Sequence, residues 1–305
     1  LGYVSAGDVV AAVRTVLEIF RDHGDRTDRH HARLKYLVEE WGIDAFRVEF
    51  ERRFGAVLHP WREIGPLRQR DWLGAHSQGD GRWLYGVHVA NGRVRDDGSR
   101  RVRTALRAIV AALRPGVVLT PQQNLLFTDL ARADLPRVEA MLEAYGVPLP
   151  AALRPMRRAA MACPALPTCG LALAESERVV GRVLDALEHE LDALALTARP
   201  LSVRMTGCPN GCARPYNADV GVVGRAGGLY DLFVGGGPAG DRLAERFAQE
   251  LPLAGIASAL RPLLERWARE GFPGEGLGDF HERALRRPGR RDLLRGADQT
   301  MTITR

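Results

Sequence analysis

At 305 residues the chain is long enough for about two domains, and 46% hydrophobic with 26% charged residues is the balance of a globular protein with a real core. No apolar run approaches the roughly 20 residues that span a bilayer, and the opening LGYVSAGDVVAAVRTVLEIF has neither a basic n-region nor a small-residue cleavage site, so a cytoplasmic chain with no membrane partner is expected. The formal charge of +6 does not make it a nucleic-acid binder: Lys35 is the only lysine, and the arginines are dispersed among 37 acidic residues, as on a solvated surface with local anion sites.

The first 55 residues read as helical. The chain lacks an initiator methionine and opens on a helical pattern (Val9, Val10, Val13, Val16, Leu17, Phe20), from which an upstream segment is expected. That helix ends near Gly24, and a second carries Leu34, Leu37, Val38 and Trp41 to a stop at Gly42. From 56 to 147 the order changes to an alternating strand, WLYGVHVANGRV, with a turn at Asn91-Gly92. A helix follows, with Val102, Leu106, Ile109, Val110 and Leu113 on one face and arginines on the wet one, then an apolar strand GVVLTPQQNLLFTDL and the helix ADLPRVEAMLEAYG. This succession predicts an α+β layer like half of a ferredoxin-like fold.

A third region, 148 to 290, predicts an α/β domain. The helix AESERVVGRVLDALEHEL precedes strands LSVRM, ADVGVVG and YDLFVGG, with Gly227-Gly228 turning between the last two, and residues 291 to 305 form a tail. This region holds all four cysteines, in ACPALPTCG (Cys163, Cys169) and TGCPNGCARP (Cys208, Cys212). In a cytoplasmic chain such a set argues for metal or catalysis over disulfides. Structural zinc favours tight two-to-four-residue gaps. Five residues with two prolines between Cys163 and Cys169 suit a 4Fe-4S cluster better, because glycine- and proline-rich loops bring bare backbone N–H groups to the sulfurs. Other candidates carry less. The eight histidines show no ligand spacing, and VGGGPAG (234–240) lacks a phosphate-loop lysine.

MACPALPTCGLALAESER together with MTGCPNGCARPYNADVGVVGRAGGLYDLFVGG resembles the paired cysteine signature of the sulfite/nitrite reductase hemoprotein family, which carries sirohaem and a 4Fe-4S cluster. DRTDRHHARLKYLVEEWGIDAFRVEFERRFG resembles that family's central helical segment, LTPQQNLLF a strand of its second parachute-type layer, and GEGLGDFHERA its C-terminal segment, so the likeness covers residues 1 to about 285. The resemblance implies that Cys163, Cys169, Cys208 and Cys212 ligate the cluster, with Cys212 also bridging to the sirohaem iron as the catalytic thiolate. Asn210 shapes the loop, and Arg26, Arg29 and Gln123 fall where the family contacts the sirohaem carboxylates. Such contacts are charge-assisted and often bidentate.

The implied reaction is six-electron reduction of sulfite to sulfide, with nitrite reductase as the alternative and a ferredoxin or flavoprotein as electron donor. TGCPNGCARPY looks more like the sulfite branch. The family's lysine-rich stretch that grips the anionic substrate is absent, and His30 stands where relatives carry lysine. The chain therefore resembles the C-terminal half, in need of an N-terminal half as partner. The related cobalamin-pathway oxygenase shares such cysteine loops and is a third reading.

Overall fold

The computed structural model describes residues 1–60, 71–237 and 239–285 and divides into two compact units, Leu1–Leu67 and Arg68–Arg305. The expected tail, 291 to 305, lies outside the described residues.

The first unit holds α1 (Val9–His23), α2 (Leu34–Trp41) and α3 (Ile43–Phe54), one helix more than the sequence reading assigned to this region. Gly42, at φ 77°, stops α2 and turns the chain directly into α3, whose Phe46 and Phe50 join Ile19, Leu37 and Leu58 in a small core. Gly42 has the φ that any other residue would adopt only with strain. The stop expected at Gly42 is there, and α3 follows it without a linker. Paired backbone hydrogen bonds between Tyr3 and His59 tie the ends of the unit together.

In the second unit, β1 (Gly74–Ser77) and β2 (Trp83–Val87) precede a short ladder of β3 (Asp96–Asp97) with β4 (Arg100–Arg101). Then come α4 (Val102–Leu113), β5 (Gly116–Leu119), β6 (Leu125–Leu130) and α5 (Leu135–Ala144). The four longer strands form an antiparallel sheet in the order β1-β2-β6-β5. Tyr85, Val87 and Phe127 of the sheet share a core with Ile109 of α4 and Val138 and Leu142 of α5, which is the half ferredoxin-like layer expected.

Two details differ from the sequence reading. GVVLTPQQNLLFTDL is a hairpin and not one strand. Thr120 accepts the amide of Gln123 on its carbonyl and that of Asn124 on its hydroxyl, and Gln123 takes φ 64°, so the chain reverses within TPQQN. WLYGVHVANGRV leaves the sheet after Val87, earlier than expected, while Asn91 and Gly92, at φ 54° and 69°, form the expected turn.

The rest of the unit is the expected α/β domain. It comprises α6 (Pro155–Ala159), β7 (Met161–Ala162), α7 (Val180–Ala193), β8 (Val203–Thr206), β9 (Val220–Gly224), β10 (Leu229–Val234), β11 (Glu245–Pro252), α8 (Gly255–Glu270) and α9 (Leu277–Leu285). The sheet runs β11-β10-β9-β8-β7, with β7, β8 and β9 parallel and the outer strands antiparallel. Alternation separates its faces. Met205, Val222 and Leu232 pack with Leu187 of α7 and Leu260 and Trp267 of α8. Met161, Arg204, Gly221 and Phe233, which pair across the strands, occupy the opposite face.

Asp219 fastens α9 to this sheet. Its carboxylate accepts the backbone N–H and hydroxyl of Ser202 at 2.7 and 2.6 Å and the N–H of Gly278 at 2.7 Å. Burial pushes its pKa up against these bonds.

The pH response of the first unit follows from two acids held by arginines. Arg21 donates two bonds to Asp22 and Arg52 two to Glu49, and Arg53 links the acids, donating to Asp22 at 2.6 Å and to Glu49 at 2.5 Å. These bonds hold Asp22 well below the usual carboxylate range and pull Glu49 down to about 2. Depressed carboxylates contribute stability above their unfolded pKa of roughly 4 and lose it as pH falls through the folded value. Urea titrations of Arg53→Ala against the parent chain should therefore show a deficit that is full above about pH 5 and shrinks steadily toward pH 2. A deficit independent of pH in that window would show that Arg53 acts through packing alone.

Candidate metal centre

Parallel strands β7 and β8 end side by side, and each delivers a cysteine loop at its carboxyl end. Cys163 follows Ala162 directly, and its N–H donates to Met205 O at 3.2 Å. Its loop runs through Ala165, at φ 50°, to Cys169, whose N–H donates back to Ala165 O at 2.7 Å. It returns through Ala174 to Ser176, whose hydroxyl donates to Met205 O at 2.8 Å. Cys208 follows β8 after Gly207, and the second loop turns at Gly211, at φ 69°, to reach Cys212. Cys163 and Cys208 are buried, Cys169 is half-buried and Cys212 is exposed, and all four thiols are free.

Gly207 joins the two loops. Its N–H donates to Cys163 Sγ at 3.3 Å, and its carbonyl accepts the N–H groups of Leu173 and Ala174 at 2.8 and 3.0 Å. A Cβ at this position would stand 2.5 Å from both Ala165 Cβ and Ala174 O, so only glycine allows the approach. The same tightness recurs under the second loop, where a Cβ on Gly221 would stand 2.3 Å from Pro215 O.

Arg204 lies on that same face, 3% exposed, with Nη1 donating to the carbonyls of Arg214 and Asn217 at 3.4 and 3.3 Å. Burial first, then the nearby Arg214, pulls its pKa down to about 10, and it remains a cation at neutral pH. Arg214 reaches outward to Pro121 O at 2.9 Å, and Tyr216 OH donates to Pro209 O at 3.1 Å, closing the loop on itself.

Among the described residues no three or more of His, Cys, Asp and Glu are grouped to hold a metal ion. A four-iron cluster spaces its thiolates more widely than mononuclear coordination does, because four irons and four sulfides lie between them. The donor set fits such a group: free thiols, an N–H already aimed at Cys163 Sγ, and the Thr206 hydroxyl, buried with no hydrogen-bond partner among the described residues, two residues before Cys208.

The other expected site residues behave differently from one another. Asn210 is exposed at the tip of the Cys208–Cys212 turn. Gln123 lies in the TPQQN turn, with Nε2 donating to Ala162 O at 2.8 Å and Oε1 accepting Ala162 N at 3.2 Å. Its amide is thus paired with the residue immediately before Cys163. Arg26 and Arg29 belong to the first unit, in a loop organised by Asp25, which accepts from Thr27, and Asp28, which accepts from His30 and His31. Both arginines are exposed.

The sequence reading passed over Gly207, Arg204 and Arg214. The signal available for the first was a glycine abutting a cysteine at a strand end. Nothing in a lone arginine among many marks a buried one.

The family model of the nitrite and sulphite reductase 4Fe-4S domain matches residues 1–58 and 155–284, and that of the nitrite/sulfite reductase ferredoxin-like half domain matches residues 75–145. The chain belongs to the nitrite and sulphite reductase 4Fe-4S domain family. It is 44% identical over 283 residues to the sulfite reductase (ferredoxin) of Synechococcus elongatus, covering 93% of this chain and 45% of that protein. It is also 44% identical to the sulfite reductase (NADPH) hemoprotein beta-component of Chromohalobacter salexigens, covering 92% of this chain and 48% of the relative. The solved structure of Mycobacterium tuberculosis NirA protein superposes with a TM-score of 0.79 at 27% identity, over 93% of this chain and 53% of that one. The chain thus spans about half the length of the curated relatives it matches.

Gly207→Ala should be felt in both loops at once. Forcing a methyl into a filled site costs about 1–3 kcal/mol, so thermal unfolding should come at lower temperature, and Cys163, normally buried, should alkylate faster with iodoacetamide. An unchanged alkylation rate at Cys163 would mean that the two loops do not depend on Gly207.

Proposed function

We propose that the chain is the cofactor-binding half of a sulfite reductase, with Cys163, Cys169, Cys208 and Cys212 ligating one 4Fe-4S cluster and sirohaem bound on the side of the exposed Cys212. The observation that carries this reading is the pair of cysteine loops stitched together at Gly207 on the ends of adjacent parallel strands. The names of the relatives support sulfite over nitrite as substrate and carry ferredoxin or NADPH as electron source, which supports a ferredoxin, or a flavoprotein fed by NADPH, as the donor we propose. Free thiols suit the reducing cytoplasm. Among the described residues no helix is long and apolar enough to cross a membrane.

The cluster and sirohaem, when bound, supply the electron relay and the iron at which a six-electron reduction to sulfide can proceed. The chain's own residues do the holding. Cys163 and Cys208 anchor the inner side, and Gly207 N–H lowers the charge on Cys163 Sγ. Gln123 positions Cys163 through Ala162, and Arg204 fixes the carbonyls of the segment after Cys212. Cys212 would be the ligand shared with sirohaem, a reading that its exposure supports. Arg26 and Arg29 are the cations proposed for the sirohaem carboxylates, with Asn210 shaping the turn beside Cys212. The oxyanion itself needs preorganised positive groups, which we assign to the portion of the relatives that this chain does not match.

Anaerobic reconstitution tests this directly. The chain should take up about four irons and show cluster absorption, while Cys169→Ser should abolish it. With sirohaem added, Arg29→Ala should weaken retention roughly ten-fold, the loss of one charge-assisted bond of about 1.5 kcal/mol, without moving the unfolding temperature. Dye-linked sulfite reduction should stay near background until a chain corresponding to the other half is supplied. Zinc in place of iron after anaerobic purification would overturn the assignment, and full turnover by the chain alone would relocate the substrate grip into it.

A further inference from the structure

A cleft of about 160 Å³ opens where the turn after β2, the β3–β4 ladder and the segment following the first cysteine loop meet. Arg93, Arg95, Arg100, Arg178, Asp97 and Glu177 line it. Both acids are already taken. Arg93 Nη2 donates to Glu177 Oε1 at 2.6 Å, and Arg95 Nη2 donates to Asp97 Oδ2 at 2.9 Å. Arg100 and Arg178 have no carboxylate partner among the described residues, so the cleft carries two guanidiniums beyond what its acids neutralise. His88, also in the wall, senses this excess. Burial, then Arg100, with Arg158 and Arg157 adding, pulls its pKa down to about 4, against a raising hydrogen bond to the Arg157 backbone.

The place of the cleft is as informative as its charge. Asn91 Nδ2 donates to Glu177 O at 3.1 Å, and Glu177 N donates to Cys163 O at 3.1 Å. The cleft wall is therefore continuous with the brace behind the first cysteine, on a segment that the thiols do not use. No Phe, Tyr or Trp lines it, so it offers no stacking platform for a nucleotide base.

We propose that this cleft is a binding site for a small multiply charged oxyanion of the phosphate or sulfate class, held between the forks of Arg100 and Arg178 and separate from the cysteine loops. Guanidinium forks match tetrahedral oxyanions with paired hydrogen bonds, and an excess of unneutralised arginine is what such an ion compensates. Binding there would tie the β3–β4 ladder to the Glu177 segment.

Calorimetric titration of the 305-residue chain with inorganic phosphate, and separately with sulfate, at low ionic strength tests the proposal. Saturable one-site binding is expected, weakened at least ten-fold by Arg100→Gln and by Arg178→Gln. Arg107→Gln, on the exposed face of α4, should leave it unchanged, and Arg100→Lys, which keeps the charge and loses the fork, should fall between. The His88 ring signals should titrate at higher pH with phosphate present, because an anion favours the imidazolium. A chain carrying Cys212→Ser should bind phosphate like the parent, so this outcome is independent of the cluster assignment. Equal binding by all the arginine variants, or equal displacement by chloride at matched ionic strength, would reduce the effect to general screening and overturn the proposal. Circular dichroism of each variant excludes misfolding as the cause of a loss.

Discussion

Everything around the thiols depends on how closely two pieces of backbone can approach at Gly207. Loops have no ladder of their own to fix a side chain, so four sulfurs on two loops are only as well placed as the contacts between those loops. Gly207 supplies three hydrogen bonds in a space where a single methyl would collide with backbone. Gly224 repeats the device one strand away, since its Cβ would stand 2.6 Å from Gly207 O. On the face opposite the core, Gly221 leaves the room in which Pro215 of the second loop lies against the sheet.

Charge is used in the same economical way. A buried guanidinium costs several kcal/mol unless its donors are matched, and Arg204 is matched to carbonyls of the Arg214–Asn217 segment, which a loop leaves unpaired by default. The arginine therefore reaches the Asn217 carbonyl and shares the Arg214 carbonyl with the Asn217 N–H, which donates to it at 3.2 Å. Arg214 does the converse, lying nearer the surface and reaching across to Pro121 in the antiparallel layer. The TPQQN turn thus meets the first loop through Gln123 and the second through Pro121, and the half ferredoxin-like layer acts as a brace for both.

Much of this was legible in the sequence, and the limits follow from physics. The cysteine loops stood out because glycine, proline and asparagine beside thiols are rare in packed elements, and the helices from Val102 and Val180 followed from apolar spacing alone. The polar TPQQN does interrupt the apolar run, but it holds neither glycine nor an Asn-Gly pair to mark a tight turn, and the reversal rests on the Thr120 hydroxyl and the left-handed φ of Gln123. The stop at Gly42 was legible, but the third helix of the first unit was not, because α3 starts at the next residue with no linker to announce a new element. Gln123 was legible as a residue of interest, but its bond to Ala162 is a contact across 39 positions, and no periodicity encodes that.

The relation between the brace and the thiols also says which motions the site can tolerate. Cys163 is held from three directions: by β8 through Met205, by the second loop through Gly207, and by the antiparallel layer through Gln123 on Ala162. Cys212 has none of these, and the bonds near it belong to Arg214 and Tyr216, which fix the turn rather than the thiol-bearing residue. The role proposed for Cys212 asks for such a distribution, because a ligand shared between two centres would have to satisfy the geometry of both.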